Sequence, residues 1–321
     1  AAGGPAGSLG WPAGPEIAWS ARGVTGSYQN FQSGIVYSSP HGTHIVAGAI
    51  RTAYGVAGGS PGPLGWPTSD AASVSANGGG LAQSFQGGAV YHPAGAATAY
   101  PVSGSAFARY QELGGPASSV GWPIDAPTAW SASGVSGQYQ YFQTATMYES
   151  SLGVRFVGGD IRSTYSALGG STGPLGWPRG DASCSAGACT QAFQGGDVRT
   201  FGASASASAV GGPMLTAYLA AGGPGGALGA PGGNAVAVTA NGVTGAWQYF
   251  SGSAIIMYWT PQFGTHHISG GIRTYFSTLG GLAGSGLGWP VGAQECTGDV
   301  CRQRFQGGTI VWDPARGGRV E

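Results

Sequence analysis

The stretch LGWPTSDAASVSANGGGLAQSFQGGAVYHP, residues 64–93, contains the two markers that decide the fold. The first marker is the tetrapeptide Leu-Gly-Trp-Pro, which recurs, with the variants VGWP and LGAP, from Leu9, Leu64, Val120, Leu175, Leu228 and Leu287. The second is Gln-x-Phe, which ends at Phe31, Phe85, Phe142, Phe193, Phe250 and Phe305. Both markers keep a period of about 55 residues. Two independent markers with one period predict six copies of one structural repeat.

The residues between the markers predict the elements of each copy. Ala82–Pro93 is a pair of short β-rich runs around Gly87-Gly88, which is typical of a β-hairpin. In Ile50–Gly59, apolar residues recur at helical spacing and a Gly-Gly pair then ends the helix. We therefore expect an α+β repeat protein in which each copy is a β-hairpin, a short helix and an LGWP turn.

A repeat this small cannot bury its apolar face alone, so neighbouring copies must stack. Neither terminal copy resembles a polar cap, and this favours a closed, propeller-like, pseudo-symmetric ring over an open solenoid. We expect one domain over residues 1–321. Its copies span approximately 9–63, 64–119, 120–174, 175–227, 228–286, and 287–321 together with 1–8.

The composition excludes several classes of protein. Charged residues make up 7% of the chain and aromatic residues 11%, so a folded protein is expected despite the 65 glycines. A formal net charge of zero argues against nucleic-acid binding, which depends on Lys and Arg contacts to phosphate. No apolar run approaches the ~20 residues that span a bilayer, so membrane insertion is not expected.

The four cysteines form two pairs with the same spacing, Cys184 with Cys189 and Cys296 with Cys301. Neither pair has a histidine nearby, and this argues against a metal site. We expect one disulfide within each pair, which indicates an oxidising compartment outside the cytosol.

No catalytic constellation is apparent in the sequence. The twelve carboxylates are scattered singly, and the chain has no GxSxG, HExxH or P-loop motif. We therefore predict that the chain is not an enzyme and has no cofactor and no metal.

Basic and aromatic residues recur in the first, third and fifth copies. Arg51, Arg162 and Arg273 directly follow the first helix isoleucine, where the second and fourth copies have Phe107 and Leu215. Six residues before that isoleucine stand His44, Arg155 and His266. Aromatic faces that stack on sugar rings, beside groups that bind hydroxyls, are typical of a shallow glycan site. The predicted ligand-binding residues are Tyr37, His44, Arg51, Tyr148, Arg155, Arg162, Tyr258, Trp259, His266 and Arg273.

A structural role for the same residues stays open. The arginines could hold backbone carbonyls at the joint between copies, with the histidines as further donors there. For Gln-x-Phe and LGWP, which recur in nearly all six copies, we favour roles in the core and in turns.

The motifs that carry a family resemblance are LGWP and the segment YWTPQFGTHHISGGIRTYFSTLGG, residues 258–281. With them the whole chain resembles the LGFP repeat family of exported actinobacterial proteins. The resemblance implies anchoring to the cell wall, with arabinogalactan or a peptidoglycan-associated glycan as the ligand. It also implies a longer precursor with an upstream catalytic domain, such as a mycoloyltransferase.

The expected function is therefore that of a secreted, wall-associated module that binds cell-wall polysaccharide. The alternative is a structural or protein-binding surface protein without affinity for glycans.

Overall fold

Each of the six copies folds into a four-stranded antiparallel sheet whose strands lie side by side in chain order. The computed structural model describes residues 6–185, 188–200, 207–251 and 254–321. Two compact units divide the chain, an N-terminal unit over Ala1–Gly159 and a C-terminal unit over Asp160–Glu321. We number the copies 1 to 6 along the chain.

The N-terminal unit contains the sheets of copies 1 to 3. Copy 1 has β1 (Ile17–Ala21), β2 (Val24–Asn30), β3 (Gly34–Ser39), β4 (Gly42–Ala47) and helix α1 (Gly48–Val56). Copy 2 has β5 (Ala72–Val74), β6 (Gly80–Phe85), β7 (Gly88–Pro93), β8 (Tyr100–Ser103) and α2 (Gly104–Glu112). Copy 3 has β9 (Thr128–Ala132), β10 (Val135–Tyr141), β11 (Ala145–Ser150) and β12 (Gly153–Gly158), and its helix α3 (Gly159–Ala167) begins at the last residue of this unit.

The C-terminal unit contains the sheets of copies 4 to 6. Copy 4 has β13 (Ser183–Ser185), β14 (Ala188–Phe193), β15 (Gly196–Arg199), β16 (Ser208–Gly211) and α4 (Gly212–Ala220). Copy 5 has β17 (Val236–Ala240), β18 (Val243–Phe250), β19 (Ile255–Thr260), β20 (Gly264–Ile268), α5 (Gly270–Thr278) and α6 (Gly281–Gly284). Copy 6 has β21 (Glu295–Thr297), β22 (Val300–Phe305), β23 (Gly308–Asp313) and β24 (Gly317–Val320).

The expectation of one hairpin per copy is wrong, because each copy contains four strands. The predicted hairpin is present in copy 2 as β6 and β7, and a further strand flanks it on either side. The fourth strand runs directly into the helix, since the first helical residue is a glycine with positive φ, for example Gly48 at 57°. Because no loop separates the fourth strand from the helix, the sequence gives no sign that a strand lies in this connection.

The apolar core lies between successive sheets, and the helix fills that space. In copy 1, α1 contacts β3 and β4 of its own sheet and β7 and β8 of copy 2. As the helical spacing predicts, α1 buries Ile50 and Tyr54, which lie in one cluster with Trp66 and Phe85 of copy 2. Helices α2 and α5 likewise contact the sheets on both sides within their own units. Burial of these side chains therefore requires two neighbouring copies.

A buried glutamine amide ties copies 2, 3, 5 and 6 to the copy before them. This glutamine is the first residue of Gln-x-Phe, and its side chain is at most 1% exposed in copies 2 to 6. In copy 3, Gln140 Nε2 donates to Pro101 O of copy 2 at 3.1 Å and to Asp125 O of its own copy at 2.8 Å. The same paired donation is made by Gln83 to Ile45 O and Ser69 O, Gln248 to Ala209 O and Gly233 O, and Gln303 to His267 O and Gly292 O.

The LGWP turn is held from two sides. Its tryptophan indole N–H reaches back to the first hairpin of the preceding copy, as from Trp66 Nε1 to Ala21 O at 3.1 Å. Its glycine carbonyl accepts from the helix tyrosine hydroxyl, in the pairs Tyr54 with Gly65, Tyr110 with Gly121, Tyr165 with Gly176 and Tyr218 with Gly229. The prediction that LGWP and Gln-x-Phe serve the core and the turns agrees with these contacts.

Both predicted disulfides are present. Cys184 is bonded to Cys189 and Cys296 to Cys301, and each pair lies directly opposite across the first hairpin of its own copy.

The glutamine joint generates a prediction about stability. Gln140→Met keeps the approximate length of the side chain but removes both N–H donors, so two carbonyls at the joint lose their partner. At ~1–3 kcal/mol for each of the two unpaired buried groups, the free energy of unfolding should fall by about 2–6 kcal/mol. Gln29→Met is the matched control, because Gln29 in copy 1 is only half-buried and donates to Gly14 O alone among the described residues. Equal effects of the two substitutions in chemical denaturation would contradict the account.

Candidate functional site

An aromatic row crosses the sheet of each odd copy and ends in a basic residue. In this row a residue of the second strand pairs with a tyrosine of the third, which pairs with a basic residue of the fourth. The three rows are Tyr28–Tyr37–His44, Tyr139–Tyr148–Arg155 and Trp247–Tyr258–His266. Cross-strand pairing therefore joins Tyr37 with His44, Tyr148 with Arg155 and Tyr258 with His266. All six residues are among the ligand-binding residues predicted from the sequence.

Each row runs from the surface into the core. Trp19 and Trp130 extend two of the rows at the outer hairpin, with their ring centroids 6.2 Å from Tyr28 and 6.0 Å from Tyr139. These tryptophans are 39% and 40% exposed, whereas Tyr37 is only 7% exposed. Tyr258 is also buried and Tyr148 is half-buried. The accessible aromatic surface is thus at the outer ends of the rows.

The outer residues of the rows are not among the ligand-binding residues predicted from the sequence. They are Trp19, Tyr28, Trp130 and Tyr139. A usable signal was present, because the odd copies have a longer insert before Gln-x-Phe. That insert forms the long hairpins β1–β2 and β9–β10, and Trp19 and Trp130 occupy equivalent positions on their first strands.

The basic residues at the inner ends of the rows bind backbone carbonyls. His44 Nε2 lies 2.9 Å from His41 O, and His266 Nε2 lies 2.8 Å from Phe263 O, in each case within the turn before the fourth strand. Arg155 donates to Val154 O at 3.0 Å. His44 also faces copy 2, where its Nδ1 is 3.7 Å from the Asp70 carboxylate. Apart from the approach of His44 to Asp70, these contacts lie within one copy and not at the joint, where the sequence left a structural role open.

The helix arginines are half-buried, and Arg51 and Arg273 lie near the rows of their own copies. Burial raises the pKa of Tyr37, and the positive charge of Arg51 is close enough to oppose that rise. Burial likewise raises the pKa of Tyr258, with Arg273 opposing it, and the Arg273 guanidinium lies 6.0 Å from the centre of the Tyr249 ring. Arg162 occupies the same position on α3. The structure thus brings Arg51 and Arg273 close to the tyrosines that they were predicted to accompany.

Trp259 lies apart from its predicted companions. Successive residues of a strand point to opposite faces of the sheet, so Trp259 faces away from Tyr258. It pairs with Ala246 and Thr265 and packs against the core of copy 4 near Met214 and Tyr218.

An open cleft adjoins Arg51 on the outer side of α1. Its volume is about 610 Å³, and Arg51, Thr52, Gln32, Ser33, Gly48, Gly55 and Val56 line it. Amide, hydroxyl and guanidinium groups therefore meet at one shallow depression within copy 1.

A metal site and a membrane-spanning helix are two other features of interest. Among the described residues, no three His, Cys, Asp or Glu side chains come together as a metal site would require. No helix in those same ranges is long and apolar enough to cross a bilayer.

Comparisons with known proteins identify the repeat. A family model described as LGFP repeat matches residues 9–62, 64–118, 121–173, 175–226, 228–284 and 287–320. A search of curated proteins found no match. Among solved structures, a selenomethionine-substituted virginiamycin B lyase from Staphylococcus aureus is similar at 10% identity, covering 96% of this chain and 84% of the lyase, with a TM-score of 0.14. A streptogramin B lyase structure is similar at 10% identity, 96% and 83% coverage and the same TM-score. Scores this low carry no argument about function.

The buried tyrosines predict a loss of stability at alkaline pH. Burial raises the pKa of Tyr37, Tyr54, Tyr91, Tyr110, Tyr218 and Tyr258. An unfolded tyrosine loses its proton near pH ~10, so above that pH the unfolded chain binds fewer protons than the folded one. The free energy of unfolding should therefore fall as the pH rises past about 10. Tyrosinate absorbance recorded with circular dichroism should show a class that ionises only on unfolding; reversible titration of all 14 tyrosines in the folded state would contradict this.

Proposed function

Because six matches to the LGFP repeat model span most of its length, the chain belongs to the LGFP repeat family, and we propose that it is a secreted, non-catalytic module that binds cell-wall polysaccharide. The ligand in this proposal is arabinogalactan or a peptidoglycan-associated glycan.

The observation that carries the proposal is the aromatic row of the odd copies. Trp19 and Trp130 present accessible ring surface at the outer end of two rows, and the third row carries the half-buried Trp247. Indole faces stack on the C–H faces of sugars, and arginine, amide and hydroxyl groups bind sugar hydroxyls. A row of this kind in three copies offers up to three related shallow sites, which suits a polymer with repeated units.

The disulfides support a location outside the cell. Disulfides persist in oxidising compartments and are rare in the cytosol. Two intact pairs, Cys184–Cys189 and Cys296–Cys301, therefore fit an extracellular protein. Retention at the wall would follow from the polysaccharide affinity proposed above.

The proposal includes the closed ring expected from the sequence. An array built by one repeated joint either closes into a ring or continues as an open solenoid. The glutamine joint recurs between copies 1 and 2, 2 and 3, 4 and 5, and 5 and 6. In small-angle scattering, a closed ring of 321 residues should give a radius of gyration of about 20 Å, as for a compact globule. A clearly larger radius with an elongated distance distribution would rule out closure.

Retention on purified wall fractions tests the function directly. Arabinogalactan and peptidoglycan should be assayed separately, and the wild-type chain should be retained on at least one. Arg51→Leu, Arg162→Leu and Arg273→Leu, singly and combined, should lower retention stepwise, because multivalent binding multiplies weak contacts. Leucine is a suitable replacement, since copy 4 already has Leu215 at this helix position. Arg304→Leu, on an exposed position of β22 in an even copy, is the control and should leave retention unchanged.

The same variants separate binding from a structural role. If the arginines only hold carbonyls at the joints, each change lowers the melting temperature while the folded fraction binds as before. That result would end the assignment of the arginines to the site. A wild-type chain that neither polymer retains would end the proposal itself and favour a structural or protein-binding protein.

A further inference from the structure

The LGWP tryptophan of copy 1 differs from its counterparts in exposure. Trp66, Trp122, Trp177 and Trp289 are all 0% exposed, whereas Trp11 is 62% exposed. In copy 5 the equivalent residue is Ala230. Trp11 is therefore a large aromatic side chain at a position where the other copies have either a buried tryptophan or none.

The first hairpin of the preceding copy covers three of the buried tryptophans, Trp66, Trp122 and Trp289. Their indole N–H groups donate to its turn, from Trp66 to Ala21 O, Trp122 to Ala76 O and Trp289 to Ala240 O. The tip of each such hairpin also has a non-glycine residue with positive φ whose side chain reaches a carbonyl before or beside the next LGWP turn. These tip residues are Arg22, which binds Gly62 O, Asn77, which binds Pro116 O, and Asn241, which binds Gly286 O.

The first hairpins of copies 4 and 6 are shorter and carry the disulfides. Copies 4 and 6 pair their cysteines close to the turn, and in copy 6 only Gly298 and Asp299 separate β21 from β22. Within the C-terminal unit, copy 4 is followed by the copy that has Ala230 in place of tryptophan. Ala230 thus follows a disulfide hairpin, whereas Trp66, Trp122 and Trp289 each follow a hairpin that contacts their indole ring.

The backbone of Trp11 is nevertheless fixed as firmly as in the buried copies. Its N–H donates to Gln32 Oε1 at 3.0 Å, as the N–H of Trp66 does to Gln86 Oε1 at 2.9 Å. Its carbonyl accepts from the Gln32 N–H at 3.0 Å, and Ala13 N–H donates to Asn30 O at 2.9 Å. The exposed ring therefore stands on a preorganised turn, which lowers the entropic cost of binding a ligand.

Gln32 connects this turn to the cleft beside α1. It lines that cleft together with Arg51 and Thr52. In copy 3 the equivalent Gln143 Nε2 donates to Asn77 O of the preceding hairpin, but in the ranges that the structure describes Gln32 Nε2 has no such acceptor. An amide, a guanidinium group and a hydroxyl thus line one open cleft, and the Gln32 amide joins this cleft to the turn that carries the exposed ring of Trp11. These are the groups that take an apolar sugar face and its hydroxyls.

We propose that Trp11, with Gln32, Arg51 and Thr52 in the adjoining cleft, forms a sugar-binding site in copy 1. This inference rests on the proposed polysaccharide affinity and assigns it to a residue outside the aromatic rows. The ring of Trp11 stacks on a sugar face, and the polar groups of the cleft bind hydroxyls of the same or the next sugar unit.

Trp11→Ala is a sharp test, because it recreates the LGAP turn that copy 5 already folds with. On delipidated wall core, that is peptidoglycan with attached arabinogalactan, we expect retention to fall by roughly three- to tenfold with little change in melting temperature. Trp11→Phe, which keeps an aromatic face, should retain most of the binding. The matched control Trp66→Ala removes a fully buried ring and should lower the melting temperature instead. Soluble wall polysaccharide should also shield a part of the wild-type tryptophan fluorescence from acrylamide, and that shielded part should be missing in Trp11→Ala.

The outcomes separate this site from the proposed function. If the wall core does not retain the wild-type protein, both the Trp11 site and the proposed function are wrong. Wild-type and Trp11→Ala proteins retained equally, with no shielding of Trp11, would overturn the site alone. A Trp11→Ala protein that changes its association state, or melts as early as Trp66→Ala, would also overturn it, because Trp11 would then serve a contact with protein.

Discussion

The structure depends on a buried glutamine amide at the joint between successive copies. A primary amide has two N–H donors, and in Gln140 one binds the preceding copy while the other binds the segment that follows its own LGWP turn. Both acceptors are backbone carbonyls in an apolar setting, where an unpaired group is costly. The amide therefore fixes the distance and the angle between two sheets. The helix and the LGWP tryptophan then pack into the space that this joint defines, and this is why all three features recur together.

The variable part of the repeat is the first hairpin, and its length decides what reaches the surface. The long hairpins of copies 1 and 3 carry Trp19 and Trp130 at the surface, and the turn of the copy 1 hairpin covers Trp66. The disulfide hairpins of copies 4 and 6 are shorter, and in their described strands the one aromatic residue is the buried phenylalanine of Gln-x-Phe. One scaffold thus combines constant joints with hairpins that differ between odd and even copies. Trp19 and Trp130, the exposed aromatic residues of the proposed rows, lie on these variable hairpins.

Much of this arrangement could be predicted from the sequence, because repeated markers and helical spacing are local signals. The six copies, helix α1, the hairpin β6–β7 and both disulfides are present as predicted. The fourth strand was missed because Gly48 and its counterparts join strand to helix without a loop. The depth of Tyr37 was missed for another reason: its exposure is set by Tyr54 and by Trp66 of the next copy, residues distant in the sequence. The exposure of Trp11 could not be predicted either, because the same motif carries a buried tryptophan in other copies.

Hydrogen exchange of the glutamine side-chain amides, followed by nuclear magnetic resonance on glutamine-labelled protein, tests the central claim most directly. The account predicts slow exchange for the side chains of Gln83, Gln140, Gln191, Gln248 and Gln303, which are buried and donate to backbone carbonyls. The exposed amides, such as that of Gln32, should exchange rapidly under the same conditions. Fast exchange of all glutamine side chains in the folded protein would show that water reaches the joints and would contradict the account.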